Sequence, residues 1–414
     1  MQPKTKYLKG LFSLDFGTTK FCLATLREAP GQDARVVETL CVPAEGMRRG
    51  MLANVEQAKA ALKQLLELGE RHFDTDITKV VVGIAGSHLG SRIVTVSRPL
   101  DGEVVTVSDV RSLMERAESE TPTEGRELLH TIPIAYRIDS REAVEDPVGF
   151  RGRTITGEYF LIDADKLYMK DVVDVCNECG LQVVRLYSEP FASASVTVPD
   201  SYKQLGVALA DIGGGTTDGI VFKGGRPTAA FTVNVAGKLM TNDLAIGLSL
   251  PPDIAESVKL RFGIRPRPGD AMDVTNIKGE RRIISGEHVV PVLGPRIHEL
   301  CALLASELQP YKGCLGGGIL LTGGGADVKG ITEYFAAKLN IPVARARPVL
   351  GGGQEAGLES NASSSALIHP TKFATVIGLL NLELGRVEEL AKSKKNTWTN
   401  RYLGQFVNWL RELS

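Results

Sequence analysis

Two copies of one short phrase combine residue types that bind phosphate. Residues 15–20 read Asp-Phe-Gly-Thr-Thr-Lys, and residues 211–218 read Asp-Ile-Gly-Gly-Gly-Thr-Thr-Asp. Glycine lets a turn reach positive φ and approach an anion closely, and consecutive N–H groups in such a turn form a nest for phosphate oxygens. The threonine hydroxyls add donors, and Lys20 adds a positive charge. Asp15 and Asp211 follow apolar stretches, where their carboxylates could hold Mg²⁺ through its water shell.

A third glycine cluster, Gly323-Gly324-Gly325, follows the apolar stretch 318–321 and precedes a predicted helix at about 331–340. Its bare backbone suits a ribose or an adenine that lies flat against it. A single glycine turn is as often only a turn. Three in this order, two of them with an aspartate before the glycines, predict a nucleotide site.

The elements that must position these turns are short apolar runs bounded by glycine, which predict buried strands. Such runs flank the first phrase at 11–14 and 21–26, and the second at 206–210 and 219–222. Each phrase is therefore predicted to be the turn of a β-hairpin. The repetition predicts two related halves with a nucleotide in the cleft between them.

Composition bounds the class of protein. The chain has 414 residues, enough for two domains or one large bilobed fold, and its formal net charge of −1 gives no electrostatic indication of nucleic-acid binding. Six scattered cysteines favour a reducing cytosol over a disulfide framework. Cys176 and Cys179 share a helical pattern with no second ligand pair, which favours a structural role over a metal site. Without a recognisable signal peptide or a run of about 18 apolar residues, we expect a cytoplasmic protein.

The C-terminal segment 397–414 has a pattern of its own. From Lys392 to the end, five basic residues and one acidic residue give a net charge of +4. On a helix the apolar and aromatic residues would form one stripe, which suits the interface of an anionic membrane and is too short and too polar to span it. The alternative is a helix docked on the protein's own core or in a partner's groove. The predicted membrane-contacting residues are Trp398, Tyr402, Phe406, Trp409, Leu410 and Leu413.

The order of these motifs resembles the actin-like ATPase superfamily and, within it, the bacterial FtsA cell-division family. The resemblance covers about residues 8–385 and resumes in the last 17 residues. It implies an α/β fold: an actin-like bilobed fold of duplicated ribonuclease H-like cores, with a small α/β insertion subdomain and a C-terminal amphipathic helix. The stretches that carry it are 46–50 (Gly-Met-Arg-Arg-Gly), 82–88, 129–133 (Leu-His-Thr-Ile-Pro), 146–149, 179–181 and 376–380.

The resemblance implies an ATP site with Mg²⁺, in which Asp15 and Asp211 serve the metal and the chemistry. It also implies that the Glu256–Lys259 pair, three residues apart on a helix, contacts the adenosine; a solvated ion pair is the alternative. The implied first phosphate loop is Asp15, Gly17, Thr18, Thr19 and Lys20, and the second is Asp211, Gly213, Gly214, Gly215, Thr216 and Thr217. Gly237 matches a glycine turn near the nucleotide, and the implied adenosine-side residues are Glu256, Lys259, Gly323, Gly324 and Gly325.

Glu189 is the candidate for hydrolysis, because in chaperone ATPases and shape-determining actin relatives a Glu-Pro at this place orients the attacking water. The alternative is a glutamate that caps or begins the next helix, with Pro190 in its first turn. Whether hydrolysis occurs stays open, and any ATPase activity is expected to be weak. The small residues after Pro190 are expected to let this helix cross a helix at 373–384 closely, at the hinge between the halves.

The resemblance also divides the chain. Residues 281–284 and 288–292 are predicted to be edge strands, residues 55–68 and 293–308 helices, and Arg261, Arg281 and Arg282 are candidates to attract an acidic peptide. The predicted units are 1–83 with 164–205 and 366–385 as first lobe, 84–163 as inserted polymer-contact subdomain, 206–236 with 318–365 as second-lobe core, 237–317 as its outer subdomain, 386–396 as linker and 397–414 as membrane-targeting helix.

The function implied by the resemblance is an ATP-binding cell-division protein that forms filaments on the cytoplasmic side of the cell membrane at the division site. Its implied partners are the C-terminal peptide of the tubulin-like FtsZ, other copies of itself, anionic membrane lipids and later division proteins, with no nucleic acid. The alternatives are a small-molecule kinase of the same superfamily, a chaperone-type ATPase, which lacks support because no substrate-binding domain follows, and a pilus-assembly scaffold.

Overall fold

The computed structural model describes residues 10–28, 35–119, 124–350, 357–358 and 370–393. Within them the strands, in chain order, are β1 (Phe12–Phe16), β2 (Lys20–Glu28), β3 (Arg35–Pro43), β4 (Met47–Arg48), β5 (Met51–Leu52), β6 (Lys79–Ile84), β7 (Leu89–Pro99), β8 (Arg126–Ile138), β9 (Thr154–Asp165), β10 (Gln182–Ser188), β11 (Val207–Ile212), β12 (Thr217–Lys223), β13 (Arg226–Val233), β14 (Ala271–Thr275), β15 (Arg281–Ser285), β16 (Ile319–Thr322), β17 (Val343–Arg347) and β18 (Gly357–Leu358). The helices are α1 (Val55–Phe73), α2 (Val107–Ser119), α3 (Lys166–Glu178), α4 (Glu189–Thr197), α5 (Asp200–Leu205), α6 (Gly237–Leu248), α7 (Pro252–Phe262), α8 (Gly286–Leu308), α9 (Ile331–Leu339) and α10 (Ala374–Ser393).

The strands form two main sheets with one repeated plan. The first has the order β10-β6-β1-β2-β3 and the second β13-β12-β11-β16-β17-β18. In each, the first strand of a hairpin runs antiparallel to its successor and parallel to a later strand: β1 pairs with β2 and β6, and β11 pairs with β12 and β16. The turn of each hairpin is one of the two glycine-threonine phrases, so the duplication read from the sequence is present in the backbone.

Alternation along β1 places the first lobe's helices on both faces of its sheet. Phe12 and Leu14 point into a core with α1 and α3. The intervening Ser13 points to the other face, where its hydroxyl donates to the carbonyl of Val376 in α10 at 2.6 Å. Successive strand residues point to opposite faces, so this sheet is covered on both sides and its strand ends are left to form a site.

The hinge between the lobes is a close crossing of α4 and α10. A Cβ atom built on Gly378 would lie 2.0 Å from the carbonyl oxygen of Ala192, so only glycine allows this approach. Ser195 donates to the carbonyl of Ala192 and lies within reach of Gly378. The small residues after Pro190 therefore serve the helix crossing that the sequence predicts.

The insertion is a three-stranded sheet, order β7-β9-β8, with α2 packed against it. It has its own apolar core, which includes Leu113, Ile155 and Tyr159. It also contacts the second lobe, because the Ser91 hydroxyl bonds both the carbonyl and the N–H of Ala230 in β13, at 3.0 and 2.9 Å. The insertion thus bridges the lobes.

Helix α8 corrects one prediction. Residues 288–292 are helical and not an edge strand, since α8 begins at Gly286 behind the N-cap Ser285 and its His288 partner. Val289 extends the buried stripe of Leu293 and Ile297 at a spacing of four, a helical period that outweighs the β propensity of its valines.

The segment Gly286–Cys314, which contains α8, is long and apolar enough to cross a membrane, with a mean hydropathy of 1.3. Its buried stripe, however, packs into the core of the second lobe. Arg296, within the helix, pairs with Asp243 of α6 at 2.7 Å. These contacts account for its apolar character as that of a core helix.

Two further features differ from expectation. Cys22 and Cys41 lie directly opposite on β2 and β3 and form a disulfide, with 4.2 Å between Cα atoms. The composition favours a reducing cytosol over a disulfide framework; this pair arises from the register of β2 with β3, which a separation of 19 residues in the sequence does not reveal. Helix α10 continues to Ser393, through most of the segment 386–396 expected to be a linker. The predicted membrane helix lies outside the described residues.

Candidate functional site

A cleft of about 1170 Å³ lies between the two sheets, and both hairpin turns line it. Its size suits a nucleotide. The sequence-predicted residues on its wall are Asp15, Gly17, Thr18, Thr19, Lys20, Glu189, Asp211, Gly213, Gly214, Gly215, Thr216, Gly237, Glu256, Lys259, Gly323, Gly324 and Gly325. Thr217 does not line it: the side chain is fully buried, and its hydroxyl donates to the carbonyl of Val235 at 2.8 Å.

The two candidate phosphate loops face each other across the cleft, and their backbones approach each other closely. A Cβ atom on Gly214 would lie 2.5 Å from the Thr19 side chain, and one on Gly215 would lie 2.2 Å from the Thr18 hydroxyl. Any larger residue would force the turns apart. The Gly50 N–H donates to the Thr18 hydroxyl at 2.8 Å and fixes that side chain. The glycines therefore let two donor-rich turns share one small volume.

Four carboxyl groups meet at the strand ends beside these turns. Burial raises the pKa of Asp15 to about 6 and that of Asp218 to about 6. Burial, with Asp15, Asp218 and Asp211 nearby, also raises the pKa of Glu189 well above its usual value, and burial raises that of Asp211. Lys20 lowers the pKa of Asp15 but does not offset the burial. Such a group of carboxyls gains from a bound cation.

Hydrogen bonds from the hinge helices orient Asp211. Ser193 of α4 donates to its Oδ2 at 2.6 Å, and Thr375 of α10 donates to the same oxygen at 3.1 Å. Asp218 is oriented by the hydroxyls of Thr216 and Thr232 and by the Gly86 N–H. The carboxylates are held by both lobes and by the segment leading into the insertion.

These carboxylates fit Mg²⁺ better than a metal bound by protein alone. Mg²⁺ keeps several waters and takes one or two carboxylates together with substrate phosphates. The described residues contain no group of three or more His, Cys, Asp or Glu arranged as a metal cage. Asp15 and Asp211 beside two phosphate-type turns match the first kind of site.

Glu189 is the first residue of α4 and lies over the end of β6. A Cβ atom on Gly83 would lie 2.6 Å from Glu189 Cγ, so glycine makes room for this side chain. Ser188 precedes it as the N-cap residue, and Pro190 lies in the first turn. Glu189 therefore both begins the helix and lines the cleft, so the two interpretations of it are compatible.

On the far side of the second loop, Lys259 and Glu256 form an ion pair of 2.7 Å. The Lys259 ammonium also donates to the Thr241 hydroxyl at 2.9 Å and the Gly237 carbonyl at 3.2 Å. The Lys259 side chain is buried and Glu256 is partly exposed, and burial lowers the pKa of Lys259. The pair is therefore part of the cleft wall rather than a solvated surface pair.

Asp218, Lys372 and Thr375 are among the wall residues to which the sequence assigns no role. Asp218 ends the second phrase itself, so its position directly after two threonines was a usable signal. Lys372 lies just before α10, and Thr375 lies in its first turn. Lys20 Nζ donates to the Lys372 carbonyl at 2.5 Å. Lys372 and Thr375 reach the cleft only through the helix crossing, which leaves no local motif.

Comparison with known proteins identifies the family. The model described as cell division protein FtsA matches residues 208–378, and the model described as the SHS2 domain inserted in FTSA matches residues 86–162. Cell division protein FtsA of Neisseria meningitidis serogroup B is 30% identical over 392 residues, covering 92% of this chain and 91% of the relative. The Escherichia coli K12 protein of the same name is 28% identical over 425 residues and covers 98% of each chain.

Solved structures with low sequence identity share the fold. A chain of the PilM-PilN type IV pilus biogenesis complex matches with a TM-score of 0.62 at 18% identity, covering 91% of this chain and 99% of its own. MreB5 of Spiroplasma citri bound to ADP matches with a TM-score of 0.55 at 15% identity, covering 93% and 99%. The predicted actin-like bilobed fold with an inserted α/β subdomain is confirmed, and the chain belongs to the FtsA family of actin-like cell-division proteins.

Proposed function

We propose that this protein binds ATP with Mg²⁺ in the cleft, assembles into filaments on the inner face of the cytoplasmic membrane, and anchors the FtsZ ring there. The observation that carries the nucleotide site is the approach of two glycine-threonine turns beside buried carboxyls. We propose that nucleotide binding controls filament assembly and that the protein does not use ATP to phosphorylate a small molecule.

The roles of the cleft residues follow from their chemistry. Backbone N–H groups of the two turns and the hydroxyls of Thr18 and Thr19 bind the phosphates, and Lys20 adds a positive charge. Asp15 and Asp211 would hold the Mg²⁺, whose charge offsets that of the phosphates. Gly323–Gly325, Gly237 and the Glu256–Lys259 pair flank the adenosine.

Glu189 is proposed to orient the water for hydrolysis by accepting a hydrogen bond from it. Its position at the end of β6, over Gly83, directs the carboxyl into the cleft. Hydrolysis would reset the assembly signal.

The proposed docking surface for the acidic FtsZ C-terminal peptide is the β14–β15 hairpin of the outer subdomain. Arg281 and Arg282 are exposed there, and the neighbouring Ile283 side chain is 70% exposed. Arg261, by contrast, is engaged by Asp270, with Nη2 at 2.7 Å from Oδ1. Basic residues around an exposed isoleucine suit a peptide that carries both acidic and apolar side chains.

Membrane attachment is assigned to the segment 397–414, on the spacing of its aromatic residues and its basic flank. Filament formation is assigned in part to the inserted subdomain, and recruitment of later division proteins at the division site is proposed by analogy with the family. Many weak anchors along a filament would attach it firmly.

The test of the nucleotide site is binding of a fluorescent ATP analogue to wild type and to Asp211→Ala. We expect the variant to bind Mg-ATP at least about 10-fold more weakly, because it loses a carboxylate proposed to hold the Mg²⁺ and the acceptor of Ser193 and Thr375. Asp200→Ala is the matched control, since Asp200 lies on exposed α5 with Lys203. Equal affinity of Asp211→Ala and wild type would reject the assignment.

Docking of FtsZ is tested by capture on an immobilised FtsZ C-terminal peptide. The Arg281→Glu, Arg282→Glu double variant should lose capture through charge repulsion. Arg137→Glu, on the exposed face of the insertion, is the control that should retain it. Retained capture by the double variant would move the peptide to another surface.

A further inference from the structure

His130 connects the inserted subdomain to the start of the helix that carries Glu189. It lies on β8, and its Nε2 accepts a hydrogen bond from the Ser188 N–H at 2.9 Å. Its ring stacks on Tyr187, with 5.6 Å between ring centroids, and lies 5.2 Å from the ring of Phe191. The contacts of His130 thus flank Glu189 on both sides along the chain.

The hydrogen bond supplies a partner that the helix itself lacks. The first N–H groups of a helix have no intrahelical acceptor, and the N-cap Ser188 makes no side-chain cap. Burial, with Arg185 nearby, lowers the pKa of His130 to about 3. The imidazole is therefore neutral at physiological pH, with Nε2 free to accept and the proton on Nδ1.

The hydrogen bond between Ser188 and His130 is closely coupled to the position of the Glu189 carboxyl. Glu189 follows Ser188 directly, and its side chain lies against the backbone of Gly83. A change in the orientation of Ser188 would therefore move the carboxyl in the cleft. The insertion is in turn held against the second lobe through Ser91 and Ala230.

We propose that His130 is a positioning residue for Glu189, through which the inserted subdomain fixes the carboxyl that orients the hydrolytic water. This inference rests on the proposed function of Glu189. The acceptor atom Nε2 of His130 positions Glu189, and the packing of its ring does not. Contacts of the insertion with a neighbouring copy would then change the position of the Glu189 carboxyl at the site of hydrolysis.

Two substitutions separate the acceptor from the ring. His130→Phe keeps an aromatic ring between Tyr187 and Phe191 but leaves the Ser188 N–H without its acceptor. His130→Gln removes the ring and keeps an acceptor oxygen at a similar reach. If packing were the role, Phe would be tolerated and Gln would not, which is the opposite of the proposal.

The full-length variants are compared with wild type by amide hydrogen exchange of residues 188–197, by affinity for a fluorescent ATP analogue, and by single-turnover hydrolysis of Mg-ATP. We expect His130→Phe to exchange faster in this segment and to hydrolyse at least about 10-fold more slowly, since small misplacements of a catalytic group have large effects on rate. Its nucleotide affinity should stay within about 2-fold, because the phosphate turns are untouched. His130→Gln should recover most of both properties.

Unchanged exchange in His130→Phe, unchanged hydrolysis in a variant that exchanges faster, or failure of His130→Gln to recover would each overturn the proposal. A parallel loss of affinity and turnover would also overturn it, because that pattern marks general damage to the cleft. The Glu189→Gln variant separates a failure of the proposed role of Glu189 from a failure of the proposed role of His130. If it hydrolyses like wild type while His130→Phe does not, the role of Glu189 is wrong and His130 acts through another group. A wild type that does not hydrolyse ATP would overturn both.

Discussion

At the scale of single residues, the cleft concentrates carboxyl groups whose burial disfavours ionisation. Asp218 is the clearest case, because three donors orient it and burial still raises its pKa to about 6. A carboxyl with a raised pKa stabilises the folded protein below its unfolded value, near 3.8, and that contribution is lost as the pH rises through 6. Without a bound cation, the folded protein should lose stability over this range.

We predict that Asp218→Asn removes this pH dependence. Between pH 4 and pH 7, the unfolding free energy of the variant relative to wild type should rise by about 2–3 kcal/mol, which corresponds to a shift of about two pKa units. Urea denaturation in EDTA without nucleotide measures it. Asp200→Asn, on exposed α5, is the control. A difference between Asp218→Asn and wild type that does not vary with pH would show that burial does not control this carboxyl.

Glu189 gives the second prediction at this scale. Glu189→Gln keeps the size of the side chain and removes the carboxylate, so hydrolysis of Mg-ATP should fall by about 100-fold while nucleotide binding changes little. Single-turnover assays and binding of a fluorescent analogue measure the two effects. Glu178→Gln, at the surface of α3 beside Lys59, is the matched control. Full activity in Glu189→Gln would assign the residue to the helix start alone.

At the scale of elements, patterns that are local in sequence are predicted well, and these include the small residues of α4 that allow its crossing with α10. Which side chains a strand register or that crossing brings together is not predicted. The two hairpins, with their glycine-threonine turns, follow from residue types within a few positions of each other. The Cys22–Cys41 disulfide depends on the pairing of β2 with β3, and the places of Lys372 and Thr375 depend on the crossing of α10. The prediction of an edge strand at residues 288–292 is wrong because it rests on the β propensity of the two valines. In the structure these residues belong to α8, whose apolar side chains pack into the core of the second lobe.

The α4–α10 crossing gives a prediction at this scale. Gly378→Ala should destabilise the protein by about 1–3 kcal/mol, since the added Cβ meets the carbonyl of Ala192 at 2.0 Å and the helices must separate. Gly385→Ala makes the same chemical change on the same helix, where nothing lies within 4 Å, and should stabilise by up to about 1 kcal/mol. Urea denaturation compares them.

The same pair of variants also tests how the hinge supports the site. Asp211 is oriented by Ser193 and Thr375 across this crossing, so Gly378→Ala should also weaken ATP binding, and Gly385→Ala should not. Equal stability and equal affinity of the two variants would contradict the close crossing.

At the scale of the whole molecule, the insertion and the hinge tie both lobes to one cleft. The Ser91–Ala230 bonds join the insertion to the second lobe, and Arg226 of that lobe pairs with Glu145 of the insertion at 2.9 Å. A nucleotide held by both turns would resist any opening between the lobes. Under the proposed function, the presence of ATP would therefore reach the outer surfaces of the molecule through these contacts.

Membrane attachment is the prediction that involves the complete chain. Truncation after Lys392 removes both tryptophans and four of the five basic residues of the tail region, so sedimentation with anionic lipid vesicles in the presence of Mg-ATP should be abolished. Trp409→Glu, which places a charge on the apolar stripe, should weaken it, and Asn408→Gln, away from that stripe, should not. Because the attraction to the lipids is partly electrostatic, binding of the full chain should fall as salt rises from about 0.05 to 0.5 M. A truncated protein that sediments like wild type would place the membrane contact within the described lobes, and the aromatic stripe would then have to be assigned to a groove of the protein itself or of a partner.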